Sequence, residues 1–411
     1  MKYLFSIMMI TSAIFSQTLN LFIDCQFCDQ DYFKEKLPYV NHVRNREDAD
    51  IHMLLTTQTT GSGGSEYTMV FYQLTQEKSS SDTLQFITEK NATTDDIRQK
   101  MVKYLHLGLL PSLTDDPLLE RFNISYMPMQ KGKMIQPVDP WNKWVFTTRL
   151  SGNFNGQKTY ESQRLSGSFG ASRITKDWKI NMSVRMSENK DSFDYGDFSY
   201  KSTQESKRIS GSVIKSLGNH FSTGFWGSIS SSSYSNLNRS IVFTPKVEYN
   251  YFPYSESNHH QLRFEYGVGF NDRNYAKETI YFKTKEQLWK QAARMSVTFV
   301  QPWGSADVNI NGSSYLHDNS KNQVSIFTSL NLRILKGLSV NFWGSYSRIR
   351  DQLNLASGDL PDEEVLLKRQ ELATQYSYYS GISLSYTFGS KFSNVVNPRF
   401  GEGGGTIYIM N

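Results

Sequence analysis

Charged side chains recur along the C-terminal two-thirds of this 411-residue chain at positions that alternate with apolar residues. In one segment, for example, Lys179 and Arg185 alternate with Ile180, Met182 and Val184. Successive side chains of a β-strand point to opposite faces of a sheet, so each such segment has one apolar and one polar face. The charged residues assigned to the polar face are Arg149, Arg164, Lys179, Arg185, Lys246, Glu248, Arg263, Glu265, Lys290, Arg294, Asp307 and Arg333.

Most of these residues are basic, and this excess supports two interpretations. If the polar face surrounds water, the positive charge would attract small anions and favour their passage. If the enclosed space is narrow, the same arginines and the acidic residues would form a closed polar network that fills it. A register slip of one residue would move any single strand's charges to the other face.

The only two cysteines form the sequence Cys25-Gln26-Phe27-Cys28. We predict a disulfide between them, because that is the expected state of paired cysteines after export. A redox-active pair is an alternative, since the motif follows a predicted strand and precedes a predicted helix. A zinc site completed by His42 or His52 is a second alternative, but it requires further ligands.

Other chemistry has weaker support, and we predict no cofactor and no metal. The run Gly61-Ser62-Gly63-Gly64 lacks the Gly-Lys-Ser/Thr ending of a phosphate loop, so it predicts a hairpin turn. Four histidines near predicted strand ends leave a barrel-wall hydrolase open as a hypothesis, although no local motif supports enzyme activity. They are His220, His259, His260 and His317. The charged stretch 350–371 indicates a solvated external loop.

The elements that must position the charged residues are strands with alternating polarity. About twelve such segments begin near residues 144, 160, 177, 200, 219, 239, 259, 288, 305, 322, 337 and 371. An even number of antiparallel strands is typical of a bacterial transmembrane β-barrel. The composition fits, because aromatic residues make up 14% of the chain while its mean hydropathy is only −0.50. After the N-terminus no stretch approaches the about 18 apolar residues of a transmembrane helix.

The connections between these segments alternate in length. Short ones lie at 175–177, 217–219, 253–257, 302–305 and 335–337, and longer ones at 189–199, 271–287 and 350–370. Short turns of outer-membrane barrels lie on the periplasmic side and long loops lie outside. Aromatic residues near the segment ends, such as Trp178, Trp303, Tyr275 and Tyr376, predict the two aromatic girdles of such a barrel.

The rest of the chain divides by pattern into four further parts. Residues 1–16 have the basic start, short apolar core and small-residue end of a signal peptide. Residues 17–114 predict a small periplasmic α/β domain, and residues 115–142, with several prolines, a linker. Residues 143–389 are the predicted barrel and 390–411 a periplasmic C-terminal tail. The fold class is therefore mainly β: a transmembrane barrel of about twelve antiparallel strands preceded by an α/β sandwich.

Within the N-terminal region the pattern predicts the order strand, helix, strand, strand, strand, helix. The strands are expected at 19–24, 49–57, 66–74 and 83–89, and the first helix at 29–43 with a distortion at Pro38. The second helix should begin at Thr93 or Thr94, with Asp95 and Asp96 in its first turn, and end before Pro111.

Several stretches resemble outer-membrane β-barrel proteins of the Bacteroidota that carry a small N-terminal periplasmic domain and have no assigned activity. The resemblance rests on 24–29, 39–46, 49–52 and 59–68 near the N-terminus and on 385–390 and 394–400 near the C-terminus. It implies an outer-membrane location with the N-terminal domain in the periplasm, and it implies no activity. One departure is that the chain continues beyond Phe388 instead of ending on an aromatic strand.

Three functional hypotheses follow. The first is a pore or transporter-like barrel for small, anionic solutes, with a periplasmic domain that gates it or docks a partner. The second is a non-conducting structural or assembly component that presents residues 18–114 to a protein partner. The third is the barrel-wall hydrolase. The outer-membrane lipid bilayer is the expected partner in each, and a net charge of +5 without a dense basic stripe argues against nucleic acid.

Overall fold

A computed structural model describes residues 19–25, 28–74, 81–113, 122, 139–195, 198–358, 375–394, 396 and 399. The predicted signal peptide, most of the predicted linker and residues 400–411 of the predicted tail lie outside the described residues. Within these described ranges, no helix is both long and apolar enough to span a membrane.

The N-terminal region forms a five-stranded mixed sheet with two helices. Its elements are β1 (Asn20–Asp24), α1 (Gln30–Lys36), β2 (Asn41–His42), β3 (Ile51–Thr59), β4 (Ser65–Gln73), β5 (Ser81–Thr88) and α2 (Thr94–Leu109). The strand order is β2-β1-β3-β4-β5, in which β1 pairs in parallel with β2 and β3 and the remaining pairs are antiparallel. The predicted small α/β domain is therefore confirmed, with β2 as an additional edge strand.

One face of this sheet packs against both helices. Leu21, Met53 and Met69 of the sheet and Phe33 and Leu105 of the helices are fully buried in the same apolar cluster. The spacing of these residues follows from the side-chain repeats of strands and helices. Every second strand residue and every third or fourth helix residue reaches the shared core.

The second helix begins where its capping residues predict. The Thr93 hydroxyl accepts a hydrogen bond from the Asp96 backbone N–H at 3.1 Å, and the Asp96 carboxylate accepts one from the Thr93 N–H at 3.0 Å. This capping box satisfies two donors that the first helical turn leaves without partners.

The prediction for the first helix is wrong at its C-terminal end. The helix was expected to continue to Val43, but it ends at Lys36 and the chain then enters β2. Leu37 has left the helical region because the residue before a proline is disfavoured there, and Pro38 itself has no N–H to continue the helix.

Gly108→Ala is expected to destabilise the N-terminal domain by about 1–3 kcal/mol, the usual range for overpacking a core. Gly108 is buried on α2, and a Cβ there would overlap the ring of Phe71, which is itself 2% exposed. Urea denaturation of the full chain, monitored by hydrogen exchange at α2, measures the change in the free energy of unfolding. The control Lys103→Ala lies on the exposed side of the same helix. Equal stability of the two variants would show that the site tolerates a side chain.

The C-terminal region forms one antiparallel sheet of twelve strands in sequence order. Its strands are β6 (Trp144–Gln157), β7 (Tyr160–Ile174), β8 (Trp178–Tyr195), β9 (Phe198–Ser216), β10 (Phe221–Ser232), β11 (Leu237–Asn250), β12 (His260–Tyr275), β13 (Lys285–Gln301), β14 (Gly304–Tyr315), β15 (Asp318–Leu335), β16 (Leu338–Ile349) and β17 (Tyr376–Tyr386). The prediction of a mainly β fold with twelve antiparallel strands is confirmed.

Two details of the strand prediction differ from the structure. The stretch 189–199, expected as a long loop, is mostly strand, because β8 continues to Tyr195 and β9 begins at Phe198. Tyr275, expected in an aromatic girdle, is 3% exposed, and its hydroxyl donates a hydrogen bond to Glu286 on the neighbouring strand. In both cases, cross-strand pairing uses residues that the sequence pattern assigned to a loop or a lipid interface.

The two outermost strands of the sheet are β6 and β17. Among the described residues no hydrogen-bonded pair joins them. On β17 the neighbouring residues Tyr378 and Tyr379, which point to opposite faces, are 70% and 54% exposed. Both edges therefore present backbone N–H and C=O groups that a further strand could pair with.

Candidate functional site

The predicted charged residues share one face of the twelve-stranded sheet. Directly paired residues of neighbouring strands point to the same side, so the register assigns every side chain to a face. Arg149 pairs with Ser168, which pairs with Arg185, and Glu265 pairs with both Glu248 and Arg294. Followed across the sheet, the register places all the predicted residues on this side, which we call the polar face. They are Arg149, Arg164, Lys179, Arg185, Lys246, Glu248, Arg263, Glu265, Lys290, Arg294, Asp307 and Arg333.

The opposite face, which we call the apolar face, is exposed. On β8 it carries Trp178, Met182 and Met186, which are 39%, 53% and 55% exposed. Comparable residues on other strands include Phe225, Ile229 and Phe264. A soluble protein rarely leaves so continuous an apolar surface uncovered, so this face requires an apolar environment.

Part of the polar face is an ion-pair network centred on Glu265. Its carboxylate lies 3.1 Å from Lys246 Nζ, 3.6 Å from Arg263 Nε and 3.9 Å from Arg294 Nη1. Arg263 also lies 3.8 Å from Glu248. The basic residues of β11–β13 are therefore largely neutralised by their neighbours, as the closed-network interpretation predicts for this part of the sheet.

The polar face of β6–β9 has a different charge balance. Arg149, Arg185 and Arg208 lie in one register row together with Ser168, which pairs with both Arg149 and Arg185, and we call this set the arginine row. In the described part of the chain, these three arginines have no ion pair or side-chain hydrogen bond. Arg208 was not among the predicted residues, although its alternation with Ile209 would have identified it.

A further charged group lies at the end of the sheet opposite the short turns. Lys290 Nζ contacts Asp351 at 2.7 Å, and both Lys290 and Arg273 lie over the ring of Tyr315, at 5.2 and 5.7 Å from its centre. Asp307 lies elsewhere on the polar face, near the short-turn end of β14. Its carboxylate accepts a hydrogen bond from the Thr298 hydroxyl at 2.9 Å.

The segment 350–358 packs over this end of the sheet, which corrects the expectation of a solvated loop for these residues. Leu353 and Leu355 are 5% and 7% exposed, and Leu353 packs with Leu288 and Tyr315. Ala356 forms a β-bridge with Thr279 of the β12–β13 connection. The acidic part of the predicted loop lies outside the described residues; it includes Asp359, Asp362, Glu363 and Glu364.

The N-terminal domain packs against the short-turn end of the sheet through its second sheet face. His52, Leu54 and Val70 on that face are 0%, 3% and 5% exposed. Its contacts reach several separate strands and turns of the large sheet. They include Lys90 Nζ with Thr147 Oγ1 at 2.6 Å, Asn258 Nδ2 with Thr68 Oγ1 at 3.5 Å, and Lys336 Nζ with Asp48 Oδ1 at 2.6 Å.

The strongest of these contacts joins Arg333, at the base of β15, to Asp24 at the end of β1. Both Asp24 carboxylate oxygens accept hydrogen bonds from the guanidinium, each at 2.6 Å, and one also lies 3.1 Å from His52 Nε2. The guanidinium also lies 5.4 Å from the centre of the Phe22 ring. Arg333 therefore holds the N-terminal domain and is not free to contact a solute.

The segment after β17 pairs with the edge strand β2. Val43 forms an antiparallel bridge with Phe392, the His42 N–H donates to Asn394 Oδ1 at 2.6 Å, and the Ser393 N–H donates to the His42 carbonyl at 2.8 Å. The start of the predicted C-terminal tail thus extends the sheet of the N-terminal domain. Residues 42–43 and 392–394, far apart in the sequence, therefore pair at the short-turn end of the large sheet.

The remaining predicted groups are placed as follows. Cys25 and Cys28 are joined by a disulfide directly after Asp24, with their Cα atoms 5.8 Å apart. Gly61 and Gly63 lie in the turn between β3 and β4, where Gly63 has φ of +82°. His220 contacts the Asn250 carbonyl at 2.9 Å, and His260 contacts Glu256 at 2.6 Å. Hence neither histidine is paired with a serine.

Comparison with known proteins finds similarity to solved structures only, and that similarity is low. No family model and no curated protein matches the chain. Among solved structures, a NanC porin is 10% identical over 60% of this chain and 99% of its own, with a TM-score of 0.28. The translocator domain of the autotransporter NalP from Neisseria meningitidis is 10% identical over 60% and 87%, with a TM-score of 0.25. CdiB from Acinetobacter baumannii is 7% identical over 90% and 74%, with a TM-score of 0.29. Similarities this low assign neither a family nor an activity.

Proposed function

We propose that the chain is an outer-membrane β-barrel channel for small anionic solutes, closed at its periplasmic end by the N-terminal domain. The observation that carries this proposal is the arrangement of the twelve-stranded sheet. One face is apolar and exposed, and the other bears basic residues that, on β6–β9, have no acidic partner within the described residues.

The membrane location is supported by the physical requirements of the two faces and the two edges. The apolar face suits lipid, and alternation of lipid-facing and lumen-facing residues is the pattern of membrane barrels. In a bilayer each unpaired backbone group costs several kcal/mol, so β6 and β17 have to find partners there. Pairing with each other closes the sheet and places the polar face inside.

The N-terminal domain is proposed to act as a cap. Its contacts to Thr147, Asn258, Arg333 and Lys336 belong to different strands and turns around the short-turn end. In a closed barrel this end is the periplasmic mouth, because short turns face the periplasm. A twelve-stranded barrel is wider than the filled eight-stranded barrels and narrower than open porins, so a docked domain of this size covers its opening.

The first test is the conductance of the purified, refolded protein in a planar lipid bilayer with a salt gradient. We expect unitary currents with a preference for anions, since fixed positive charge raises the local anion concentration. The double variant Arg149→Gln/Arg164→Gln should reduce that preference, because neither arginine has an ion-pair partner in the described structure. The control Lys201→Gln/Lys207→Gln removes the same number of positive charges from the apolar face of β9 and should leave selectivity unchanged.

A folded barrel that conducts nothing, even after release of the N-terminal domain, would contradict the channel and favour the second candidate. That candidate is a non-conducting anchor that presents the N-terminal domain to a periplasmic or outer-membrane protein. The observation in its favour is the Glu265 network, which neutralises the polar face between β11 and β13.

A further inference from the structure

The arginine row on β6–β9 places like charges next to each other without a balancing group. Arg185 and Arg208 are direct cross-strand partners, so their Cα atoms lie about 5 Å apart. Arg149 lies two strands further along the same row, roughly 10 Å from Arg185, at the usual interstrand spacing. Like charges directly opposite each other destabilise a sheet, so this arrangement needs a compensating negative charge.

The described residues supply no carboxylate to this row. The cavity at the row has a volume of about 530 Å³, and its side chains are basic, hydroxylated or apolar, with no acidic residue among them. Asp191 on β8 is the acidic residue on the same face of these strands, but it lies several residues away and accepts hydrogen bonds from Tyr160 and Asn189. Among the described residues, no side chain balances the arginines, so a soluble anion could supply the compensating charge.

Serine hydroxyls complete the lining. Ser151, Ser166, Ser187 and Ser206 form the adjacent register row, so their hydroxyls lie beside the guanidinium groups. The hydroxyls of Ser151 and Ser166 are 2.7 Å apart. Guanidinium and hydroxyl donors together suit an oxyanion, because arginine donates two parallel hydrogen bonds to carboxylate or phosphate.

We propose that the arginine row is a binding site for a small multivalent oxyanion, such as a phosphorylated solute. This inference rests on the proposed function for its route of access, because it assumes that the polar face lines a water-filled space. Three arginines favour a dianion over a monoanion, since each added charge gains from all three cations. The site lies on the face opposite the apolar surface, so the ligand is a soluble solute and not a lipid headgroup.

The test measures binding directly and does not require conductance. The refolded full-length protein in detergent micelles is titrated calorimetrically with inorganic phosphate and with acetate at constant chloride. We expect phosphate to bind more tightly than acetate, and Arg185→Gln/Arg208→Gln to weaken phosphate binding by about tenfold or more through loss of charge-assisted hydrogen bonds. Phosphate at a fixed concentration should also raise the melting temperature of the wild type by more than that of the double variant.

The control is Lys201→Gln/Lys207→Gln, which removes two positive charges from the same strand as Arg208 but from the other face. It should retain phosphate binding. An equal loss in this control would show that phosphate responds to net charge, and absence of binding to the wild type would overturn the site. Either result can be told apart from failure of the channel, because a site that binds phosphate in a non-conducting barrel would leave this inference intact.

Discussion

Asp24→Asn should release the N-terminal domain from the short-turn end of the large sheet and, in the proposed channel, raise the fraction of open molecules. The Asp24 carboxylate accepts two hydrogen bonds from Arg333 and lies within hydrogen-bond distance of His52. Removing its charge leaves the guanidinium beside the mouth without a counter-charge. We expect docking to weaken by about 2–3 kcal/mol, at the lower end for a truncated buried charge pair, because the Arg333 side chain is 33% exposed.

A change of this size shifts the docked-to-released ratio by roughly 30-fold or more. Two measurements report it: the open probability in a planar bilayer, and the rate at which a protease cleaves the full chain between the domain and β6. Both should rise in Asp24→Asn. The open probability tests gating, while the cleavage rate tests docking even if the barrel carries no current.

The matched control is Lys336→Gln. Lys336 also joins the two parts of the molecule, through Asp48 at 2.6 Å, but its side chain is 54% exposed. The Asp48 side chain is only 12% exposed, but its single contact to an exposed ammonium should contribute less than the two charge-assisted hydrogen bonds of Arg333 to Asp24. Lys336→Gln should therefore release the domain less than Asp24→Asn does. If the two variants release the domain equally, the Asp24 contact is not the principal one.

The same contact predicts how docking depends on pH. Burial by itself raises the pKa of Asp24, but the hydrogen bonds from His52 and Arg333 and the charge of Arg333 outweigh it, so the pKa lies below its usual value. The carboxylate is therefore more acidic in the docked form than in the released form. Its stabilising contribution to docking is complete above the pKa of the released form and is lost as the pH falls through the lower pKa of the docked form. Asp24→Asn should remove most of this acid-dependent release. A smaller part should remain, because the hydrogen bond from Lys336 also lowers the pKa of Asp48.

Cysteine cross-linking in outer-membrane vesicles should join β6 to β17. Only two cysteines that lie on the same face of the sheet should form a disulfide. The register places Leu150 of β6 on the apolar face with Ile382 and Leu384 of β17, and Ser151 on the polar face with Gly381 and Ser383. If the strands pair, their facing side chains point to the same side. Leu150→Cys should therefore form a disulfide with a cysteine at an even-numbered position of β17, and Ser151→Cys with one at an odd-numbered position.

A scan of each β6 cysteine against every position of β17, 376–386, identifies the register as well. The internal control is a pair with one cysteine on the apolar face and one on the polar face. Such a pair should stay reduced, although its β17 position is next in sequence to one that forms a disulfide. Cross-links between two chains, instead of within one, would show that the edges pair with a second copy and that the barrel does not close on itself. Absence of both kinds of cross-link would contradict the proposed membrane barrel.

Sequence patterns predicted the local features of this protein well, because these features depend on near neighbours. Strand faces follow from alternation, so the face of Arg149 or Glu265 could be assigned before any pairing was known. Most strands begin within a few residues of the predicted positions, and the largest difference is at β17, which begins at Tyr376 instead of near residue 371. The start of α2 followed from Thr93 and Asp96, which satisfy each other within one helical turn.

Only the tertiary structure determines which charged side chains lie close together and which of them are neutralised. Asp24 and Arg333 are 309 residues apart, and the pairing of Val43 with Phe392 spans even more of the chain. Which cations are neutralised, such as Arg294, and which are not, such as Arg185, depends on the register between strands. Alternation assigns each side chain to a face of its own strand, but register is set by long-range packing and turn geometry, so no local pattern could specify these partners.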